Sequence, residues 1–306
     1  MSSVFGYIQN IICLNYVIII SVMSDTILIT GSKGFFGKEL VSRIKPTNFK
    51  IKEIDLEDGK NYVSLTEKDL KDVKYVVHLA NSARIMPSWK QPAHYYTNNL
   101  SDTTNFFINC QNAGVEKFLY FSSSSVYGNN GEDIQSEEQP LCPTNPYALS
   151  KMSAEMSLKM FADKTKLIIA RPFTMYGTTM PLVHNALVIG KFIHAYKNNK
   201  PLTIDGTGDQ KRDFISVDDA VDAVLLLLEL ANTGTYNIGT GKSISIKDLA
   251  ELFEHKTLFG PNRRGVEYDT CAEISKLREL GFNPQTNVMT WILEHKNNNF
   301  EELKCH

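Results

Sequence analysis

The sequence predicts an α/β protein in which a doubly wound parallel sheet carries a smaller C-terminal cap. Short β-rich runs alternate with helical patterns from Thr26 to about Arg171, an order that produces parallel strands covered by helices on both faces. A glycine-rich turn directly follows the first of these runs. The 306 residues are enough for one large α/β domain with a smaller appended region.

The first domain contains a series of short apolar runs that are typical of buried strands. They cover Thr26–Thr30, Lys50–Ile54, Lys74–Leu79, Lys117–Phe121 and Lys166–Ala170. Helical patterns lie between them, including Phe36–Ile44 and a longer one from about Pro92 to Asn112. Another helix is predicted to start at Pro146, with Asn145 as its N-cap.

The order of elements changes after about Met175. Helices are predicted at Leu182–Asn198, Val217–Leu230, Ile246–Phe253, Ala272–Leu280 and Val288–Lys296, and strands at Pro201–Ile204 and Tyr236–Ile238. Because Val217–Leu230 is strongly apolar, we expect it to pack back on the sheet. The first domain is therefore assigned to residues 25–178, with residues 212–240 returning to it, and the cap to residues 179–211 and 241–306.

Composition and charge exclude several classes of protein. Hydrophobic residues make up 42% of the chain and charged residues 22%, which is a soluble globular profile. The formal net charge of −2 argues against a nucleic-acid or acidic-membrane partner. The five cysteines are scattered without a CxxC pair, which argues against a disulfide framework and against a zinc site. We expect no metal and a cytoplasmic location.

The first 24 residues carry no charge and are mostly apolar. A signal peptide would open with Lys or Arg, and a membrane anchor would have to bury Gln9, Asn10 and Asn15. Met23 resembles an ordinary start just before the first strand. We therefore interpret residues 1–24 as an extension outside the fold, with a membrane anchor as the alternative.

A GxxGxxG spacing joins the first predicted strand to the first predicted helix through Gly31, Gly34 and Gly37. In that position the glycines permit a tight turn, a close approach to a pyrophosphate and close packing of helix on strand. The helix N-terminus offers free N–H groups to phosphates. We expect the loop, including Lys33, Phe35 and Phe36, to bind a dinucleotide.

Asp55 ends the second predicted strand, 18 residues after Gly37. A carboxylate there can accept hydrogen bonds from the adenosine ribose and would repel a 2′-phosphate. The pattern therefore predicts a Rossmann-type domain with NAD as its cofactor, rather than NADP. The alternative is an ordinary βα turn with a surface aspartate.

Tyr147 and Lys151 lie four residues apart at the start of the helix that begins at Pro146, so they share one face. A phenol with a pKa of about 10 is a poor base at neutral pH, but a neighbouring ammonium favours the phenolate. Tyr147 could then act as a general base. Hydroxyl-rich residues follow the fourth strand, where a doubly wound sheet places its ligands, and Ser123 is the candidate partner of the reacting oxygen. The alternative is a half-buried aromatic, a solvated lysine and a polar turn.

Taken together, the motifs resemble those of the extended short-chain dehydrogenase/reductases, specifically the NAD-dependent epimerase/dehydratase family. The resemblance runs from about Asp25 to Ile292 and rests on TGSKGFFG, VVHLAN, NNL, FSSSSVYG, PYALSK, ARPFTMYG, RDFISVDD and YNIGTG.

The resemblance implies a role for each site residue. Ser123, Tyr147 and Lys151 would be catalytic, with Tyr147 and Lys151 also touching the cofactor. Further cofactor contacts would come from Leu79, Ala80, Asn99, Pro172 and Phe173. The nucleotide sugar would be bound by Ser123, Ser124, Tyr147, Thr174, Arg212 and Arg263, the two arginines at its diphosphate. Arg212 could instead pair with Asp213 or Asp218, and the Arg263 segment is one residue shorter than the family pattern.

The family also implies a homodimer, with helices near Pro92–Asn112 and Pro146–Thr165 as candidates for the interface.

The residues after Ser123 indicate which reaction of the family this chain catalyses. Relatives that catalyse 4,6-dehydration usually carry Asp-Glu where this chain has Ser124 and Ser125, so the acid and base of water elimination are missing. The segment is more similar to the 4-epimerases, as is Thr174. We therefore expect a NAD-dependent 4-epimerase of a UDP-hexose or UDP-hexuronate, acting through a 4-keto intermediate. The alternatives are a 4-keto-sugar reductase, a 4,6-dehydratase and a non-catalytic dinucleotide-sensing protein.

Overall fold

The computed structural model describes residues 25–129, 131, 133–183, 187–262, 264–265 and 269–303. The predicted extension over residues 1–24 and the candidate Arg263 lie outside the described residues. None of the helices in the described ranges is both long and apolar enough to cross a membrane.

The strands, in chain order, are β1 (Thr26–Thr30), β2 (Lys50–Ile54), β3 (Val73–His78), β4 (Lys117–Phe121), β5 (Lys166–Pro172), β6 (Thr174–Tyr176), β7 (Leu202–Asp205), β8 (Lys211–Ser216), β9 (Gly234–Ile238), β10 (Ser243–Ser245), β11 (Thr257–Gly260) and β12 (Asp269–Thr270). The α-helices are α1 (Phe35–Ile44), α2 (Glu67–Leu70), α3 (Ile85–Lys90), α4 (Pro92–Tyr96), α5 (Thr103–Asn112), α6 (Pro146–Phe161), α7 (Val188–Lys197), α8 (Val217–Leu230), α9 (Ile246–Glu251), α10 (Ser275–Glu279) and α11 (Val288–Asn297).

The main sheet has six parallel strands in the order β2-β1-β3-β4-β5-β9. The chain first moves outward from β1 to β2 and then reverses to β3, so a topological switch point lies between β1 and β3. Ligands of such sheets bind at the carboxyl ends of the strands beside that point. The structure confirms the predicted doubly wound α/β fold.

Alternating strand residues build a hydrophobic core on each face of the main sheet, because successive side chains point to opposite sides. On one face Ile27 and Ile29 of β1 pack with α1 and α8. On the other face Leu28 packs with buried residues of α5 and α6. Full burial of each such aliphatic side chain contributes about 1.5–3 kcal/mol. These two layers hold the carboxyl ends of the strands in fixed positions.

The long helix predicted near Pro92–Asn112 is present but not uniform. A π-helical segment, Thr97–Asp102, separates α4 from α5. The wider turn rotates the helix face, and such segments are frequent at functional sites. Asn99 lies within it and is completely buried.

The cap is built around a second, smaller sheet. In it β8 pairs with β6, β10 and β12. Two segments predicted for the first domain, residues 25–178 and 212–240, thus each contribute a strand to this sheet, β6 and β8, while Ile215 of β8 packs in the core of the main sheet. A separate core, including Phe192, Phe253 and Ile292, packs around these elements.

Asp213 joins the segments that meet at β8. Its carboxylate accepts hydrogen bonds from the backbone N–H groups of Thr240, Gly241 and Ala272 at 2.9–3.1 Å. Burial raises the pKa of Asp213, and the hydrogen bonds from Thr240 oppose this. The carboxylate thus fixes the loop after β9 to the cap sheet.

Candidate active site

Two glycines let the loop between β1 and α1 pack closely against the end of β3 and against the start of α1. Gly31 adopts a left-handed φ of +72°, and a Cβ there would lie 2.9 Å from the Ala80 nitrogen. A Cβ on Gly37 would lie 2.2 Å from the Gly31 carbonyl oxygen. The loop therefore stays close to the strand ends, with the N-terminus of α1 open to an anion. This geometry fits a dinucleotide pyrophosphate.

Asp55 connects the end of β2 to the glycine loop. One carboxylate oxygen accepts a hydrogen bond from the Lys33 backbone N–H at 2.9 Å, and the other accepts from Glu57 N–H at 3.0 Å. The Lys33 ammonium is ion-paired with Asp58. The carboxylate thus lies beside the loop, where a ribose hydroxyl of NAD could reach it.

Phe35 and Phe36 follow the loop at the start of α1. Phe36 is buried and stacks on Phe121 of β4, with ring centroids 4.5 Å apart. Phe35 is partly buried and packs against the cores of both the main sheet and the cap. Both rings support the floor of the cleft at the carboxyl ends of β1 and β4.

Leu79 and Ala80 follow β3 at the switch point. The Leu79 N–H donates to the Thr30 carbonyl oxygen at 3.1 Å, and the Ala80 N–H donates to the Thr30 hydroxyl at 3.3 Å. His78, just before them, is completely buried between the hydroxyls of Thr30 and Thr103. Burial, with a contribution from the Lys151 charge, lowers the pKa of His78 to about 3. The ring is therefore neutral at pH 7 and acts as a fixed support.

Tyr147 lies in the first turn of α6. The Asn145 side chain caps this helix by accepting from Ala148 N–H at 2.8 Å, and Pro146 occupies the first turn, as predicted. Tyr147 is 7% exposed, and its ring lies edge-on to that of Tyr95, with centroids 6.3 Å apart. The phenol therefore occupies a nearly enclosed position near the cleft.

Lys151 is buried one turn after Tyr147, and its ammonium contacts the main sheet. The Nζ donates to the Phe121 carbonyl oxygen at 2.6 Å and to the Asn81 side-chain oxygen. It also lies 4.6 Å from the centroid of the Tyr120 ring. Burial lowers the pKa of Lys151 to about 7, and the Glu155 carboxylate opposes that decrease. The lysine joins α6 to the carboxyl end of β4.

The serine-rich segment begins directly after β4. Ser123 is 9% exposed, and its hydroxyl accepts from Ser125 N–H at 3.2 Å, which caps the 3₁₀ turn Ser124–Tyr127. Ser124 is half-buried in that turn. Since Phe121 is the Lys151 acceptor, the structure brings the Ser123 and Lys151 positions to the same strand end.

Asn99 holds the loop after β3 against α6. Its amide N–H groups donate to the Ser82 carbonyl oxygen at 2.9 Å and to the Ser150 hydroxyl at 3.0 Å. Its amide oxygen accepts from Ser82 N–H at 2.8 Å. The π-helical segment therefore connects two walls of the cleft immediately before Lys151.

The remaining candidates lie at the end of β5 and in the strands of the cap sheet. Pro172 ends β5, Phe173 is buried with its N–H donating to the Ile238 carbonyl oxygen at 2.9 Å, and Thr174 starts β6. Arg212 lies in β8 of the cap sheet, and its guanidinium donates to the Lys211 carbonyl oxygen at 2.6 Å. The structure thus places Arg212 in the same small sheet as Thr174, whereas Pro172 ends a strand of the main sheet.

Several side chains at the site were given no role from the sequence, although Asn81 and Arg171 lie within the motifs VVHLAN and ARPFTMYG. Asn81 binds the Lys151 ammonium, Glu155 forms a buried ion pair with Arg171, and Arg84 is exposed in the loop after β3. The four-residue spacing from Lys151 to Glu155 was a usable signal, because it places both on one helix face. The other contacts join distant parts of the chain and carry no local pattern.

Comparison with known proteins places these features in a family. The model of the NAD dependent epimerase/dehydratase family matches residues 27–239. A dTDP-D-glucose 4,6-dehydratase of Dictyostelium discoideum is 33% identical over 267 residues, covering 74% of this chain and 60% of that protein. A putative UDP-glucose 4-epimerase of Methanocaldococcus jannaschii is 29% identical over 306 residues, covering 89% of this chain and 99% of that protein.

A solved structure shows the same fold. The UDP-glucuronic acid 4-epimerase of Bacillus cereus, in complex with UDP-glucuronic acid and NAD, superposes with a TM-score of 0.82 at 27% identity, covering 91% of this chain and all of that one. The NAD dependence of the family confirms the cofactor predicted from the glycine loop and Asp55. Since the family match extends over more than half of the chain, the protein belongs to the NAD-dependent epimerase/dehydratase family.

Proposed function

We propose that the protein is a NAD-dependent 4-epimerase of a nucleotide sugar, with a UDP-hexose or a UDP-hexuronate as substrate. The observation that carries the proposal is the position of Lys151, whose buried ammonium lies one turn from Tyr147 and binds the end of the strand that leads to Ser123. This arrangement supplies a base, a cation and a hydroxyl at one strand end.

In the proposed reaction Tyr147 takes the proton of the sugar 4-hydroxyl as general base. The Lys151 charge favours the phenolate that this step requires, and the Ser123 hydroxyl binds the reacting oxygen. NAD held by the glycine loop and Asp55 would supply reversible hydride transfer, taking the hydride from C4 on one face of the sugar and returning it to the 4-keto sugar on the opposite face. Tyr147 then gives the proton back to the C4 oxygen, so atoms and electrons balance over the cycle.

The serines after β4 favour epimerisation over dehydration. Elimination of water from a hexose requires an acid and a base beside C5 and C6, and Ser124 and Ser125 occupy the positions where dehydratases of the family usually carry carboxyls. The Dictyostelium dehydratase shows that both activities occur among the relatives. The two activities therefore have to be separated by their products.

The direct test is to incubate the purified protein with UDP-glucose or UDP-glucuronate and to follow the products by proton NMR. A 4-epimerase forms the C4 epimer without added reductant. A 4-keto-6-deoxy product would show a dehydratase, and a strict requirement for stoichiometric NADH or NADPH would show a 4-keto-sugar reductase. Binding of NAD without turnover of any UDP-, dTDP-, GDP- or CDP-sugar would favour the sensing protein.

Arg84 supports the hexuronate as one of the substrates to test. It is exposed in the loop between β3 and α3, and its backbone carbonyl oxygen accepts from the Tyr95 hydroxyl at 2.7 Å. Tyr95 in turn packs against Tyr147. No ion pair of Arg84 occurs among the described residues. A sugar carboxylate would suit this guanidinium.

We also propose that the enzyme is a cytoplasmic homodimer. The face of α6 opposite Tyr147 exposes Leu149, Met156 and Met160, the last at 83%, and their helical spacing forms an apolar stripe. Burial of this stripe against a second copy would place α6 in the dimer interface, and α6 is one of the two helices predicted for it. The Met156→Glu/Met160→Glu variant should then be monomeric by light scattering while the wild type is dimeric; equal masses would contradict the dimer.

A further inference from the structure

A buried carboxylate, Glu155, lies one turn after Lys151 on the same face of α6. Glu155 and Arg171 are each 1% exposed. The guanidinium makes two hydrogen bonds to the carboxylate, from Nε to Oε1 at 3.0 Å and from Nη2 to Oε2 at 2.6 Å. The planar fork of arginine matches a carboxylate in this bidentate geometry. The pair thus locks α6 to β5.

The same carboxylate also binds the end of β4. The Ser122 hydroxyl donates to Glu155 Oε1 at 2.5 Å. Ser122 lies between Phe121, whose carbonyl oxygen accepts from Lys151, and the candidate catalytic Ser123. Glu155 therefore fixes the backbone segment that holds both of these groups.

Groups from β3, the loop after it, β4 and α6 itself face the Lys151 ammonium. From β3 and the following loop come neutral His78 and the Asn81 amide, and from β4 comes the Tyr120 ring. From its own helix it faces Tyr147 and Glu155. Among these the Glu155 carboxylate is the group that raises the pKa of Lys151, against the larger effect of burial.

We propose that Glu155 is a positioning residue for the reaction, because it places a buried carboxylate one helical turn from Lys151 and fixes the strand end that carries the lysine acceptor and Ser123. The part that concerns catalysis rests on the proposed function. The part that concerns the charge of Lys151 can be measured without turnover.

The experiment is an NMR titration of the Lys151 side chain, with ¹³C-labelled lysine, in the wild type and in Glu155→Gln. The amide keeps nearly the same shape but removes the charge. We expect Lys151 to lose its proton at least about one pH unit lower in the variant, a tenfold change in the protonation equilibrium. The basic limb of the pH profile of kcat/KM should move in the same direction.

Glu137→Gln is the matched control. Glu137 is a second buried carboxylate of this network, 7% exposed, which accepts from Asn237 N–H at 2.8 Å. Its removal disturbs the same buried region, but Lys151 should titrate as in the wild type. Glu155→Asp, which keeps the charge, should also leave the titration near the wild-type value while lowering kcat.

Identical Lys151 titrations in the wild type and in Glu155→Gln would overturn the proposal, as would an equal shift in Glu137→Gln. If the single variant does not fold because Arg171 is left as an unpaired buried cation, the Glu155→Gln/Arg171→Gln double variant replaces it, with a shift in the same direction expected. If the protein proves not to be an epimerase, these titrations still test the effect of Glu155 on Lys151. A failure of the proposed function can therefore be distinguished from a failure of this inference.

Discussion

The ammonium of Lys151 donates a 2.6 Å hydrogen bond to the backbone carbonyl of Phe121, the last residue of β4. This bond joins the helix that carries the candidate base to the strand that leads to the candidate hydroxyl donor. It places a positive charge in the interior, one helical turn from the buried Glu155–Arg171 ion pair. The stability of the fold and the chemistry of the site therefore depend on the same proton.

Stability should increase with pH because of Lys151. Its pKa is 10.5 in the unfolded chain and about 7 in the fold, so between these values the unfolded state binds one more proton. The free energy of unfolding then rises with pH in that window, by about 3 kcal/mol between pH 7 and 9.5. Urea unfolding of the apo protein at several pH values measures this, with Lys151→Met as the comparison. An equal slope in that variant would contradict the assignment.

Tyr147→Phe should retain the fold and the binding of NAD but lose turnover, because only the hydroxyl that moves the proton is removed. General base catalysis contributes about 10²–10⁴-fold, so kcat should fall by that factor. Steady-state kinetics and calorimetric titration with NAD check the two parts. Tyr196→Phe, in helix α7 of the cap, is the control and should keep kcat. Undiminished turnover in Tyr147→Phe would remove the base assignment.

Asp55→Ala should weaken the preference for NAD over NADP by about 10- to 100-fold, equivalent to about 1.4–2.8 kcal/mol. The substitution removes the carboxylate that lies beside the glycine loop and that would repel a 2′-phosphate. Asp55→Arg should favour NADP further. Dissociation constants of both cofactors give the ratio, and Asp69→Asn on helix α2 controls for a change in surface charge. A ratio that does not change would exclude a ribose contact.

Arg84→Gln should separate hexuronates from neutral hexoses. If the guanidinium binds the sugar carboxylate, kcat/KM for UDP-glucuronate should fall about 10- to 100-fold, while kcat/KM for UDP-glucose changes less than twofold. Lys90→Gln, on the adjacent helix α3, controls for the loss of a nearby positive charge. A parallel loss for both sugars would indicate a general effect on the loop instead.

Local patterns predicted the parts of the site that lie close together in the chain. Strand, glycine loop and helix are consecutive, and Tyr147 and Lys151 are one helical turn apart, so periodicity and spacing were sufficient. The contact of Lys151 with Asn81 spans 70 residues, and nothing in either segment indicates the other. The π-helical turn around Asn99 also escaped, because a single extra residue in a turn leaves the apolar pattern almost unchanged.

The cap was less predictable for a different reason. Its strands are short, with β6 and β10 covering three residues each and β12 two. They are ordered mainly by pairing with β8 rather than by their own β-propensity. Alternation cannot be recognised over so few residues, so these strands were not predicted.

The last strand of the main sheet has a consequence for how the chain can be divided. β9 reaches its place beside β5 only after the polypeptide has passed through the cap elements α7, β7 and β8. A fragment that stops at residue 178 would leave the β5 edge open and would uncover the apolar surface that α8 occupies. The nascent protein therefore cannot complete its main sheet until the first cap elements, α7, β7 and β8, have left the ribosome.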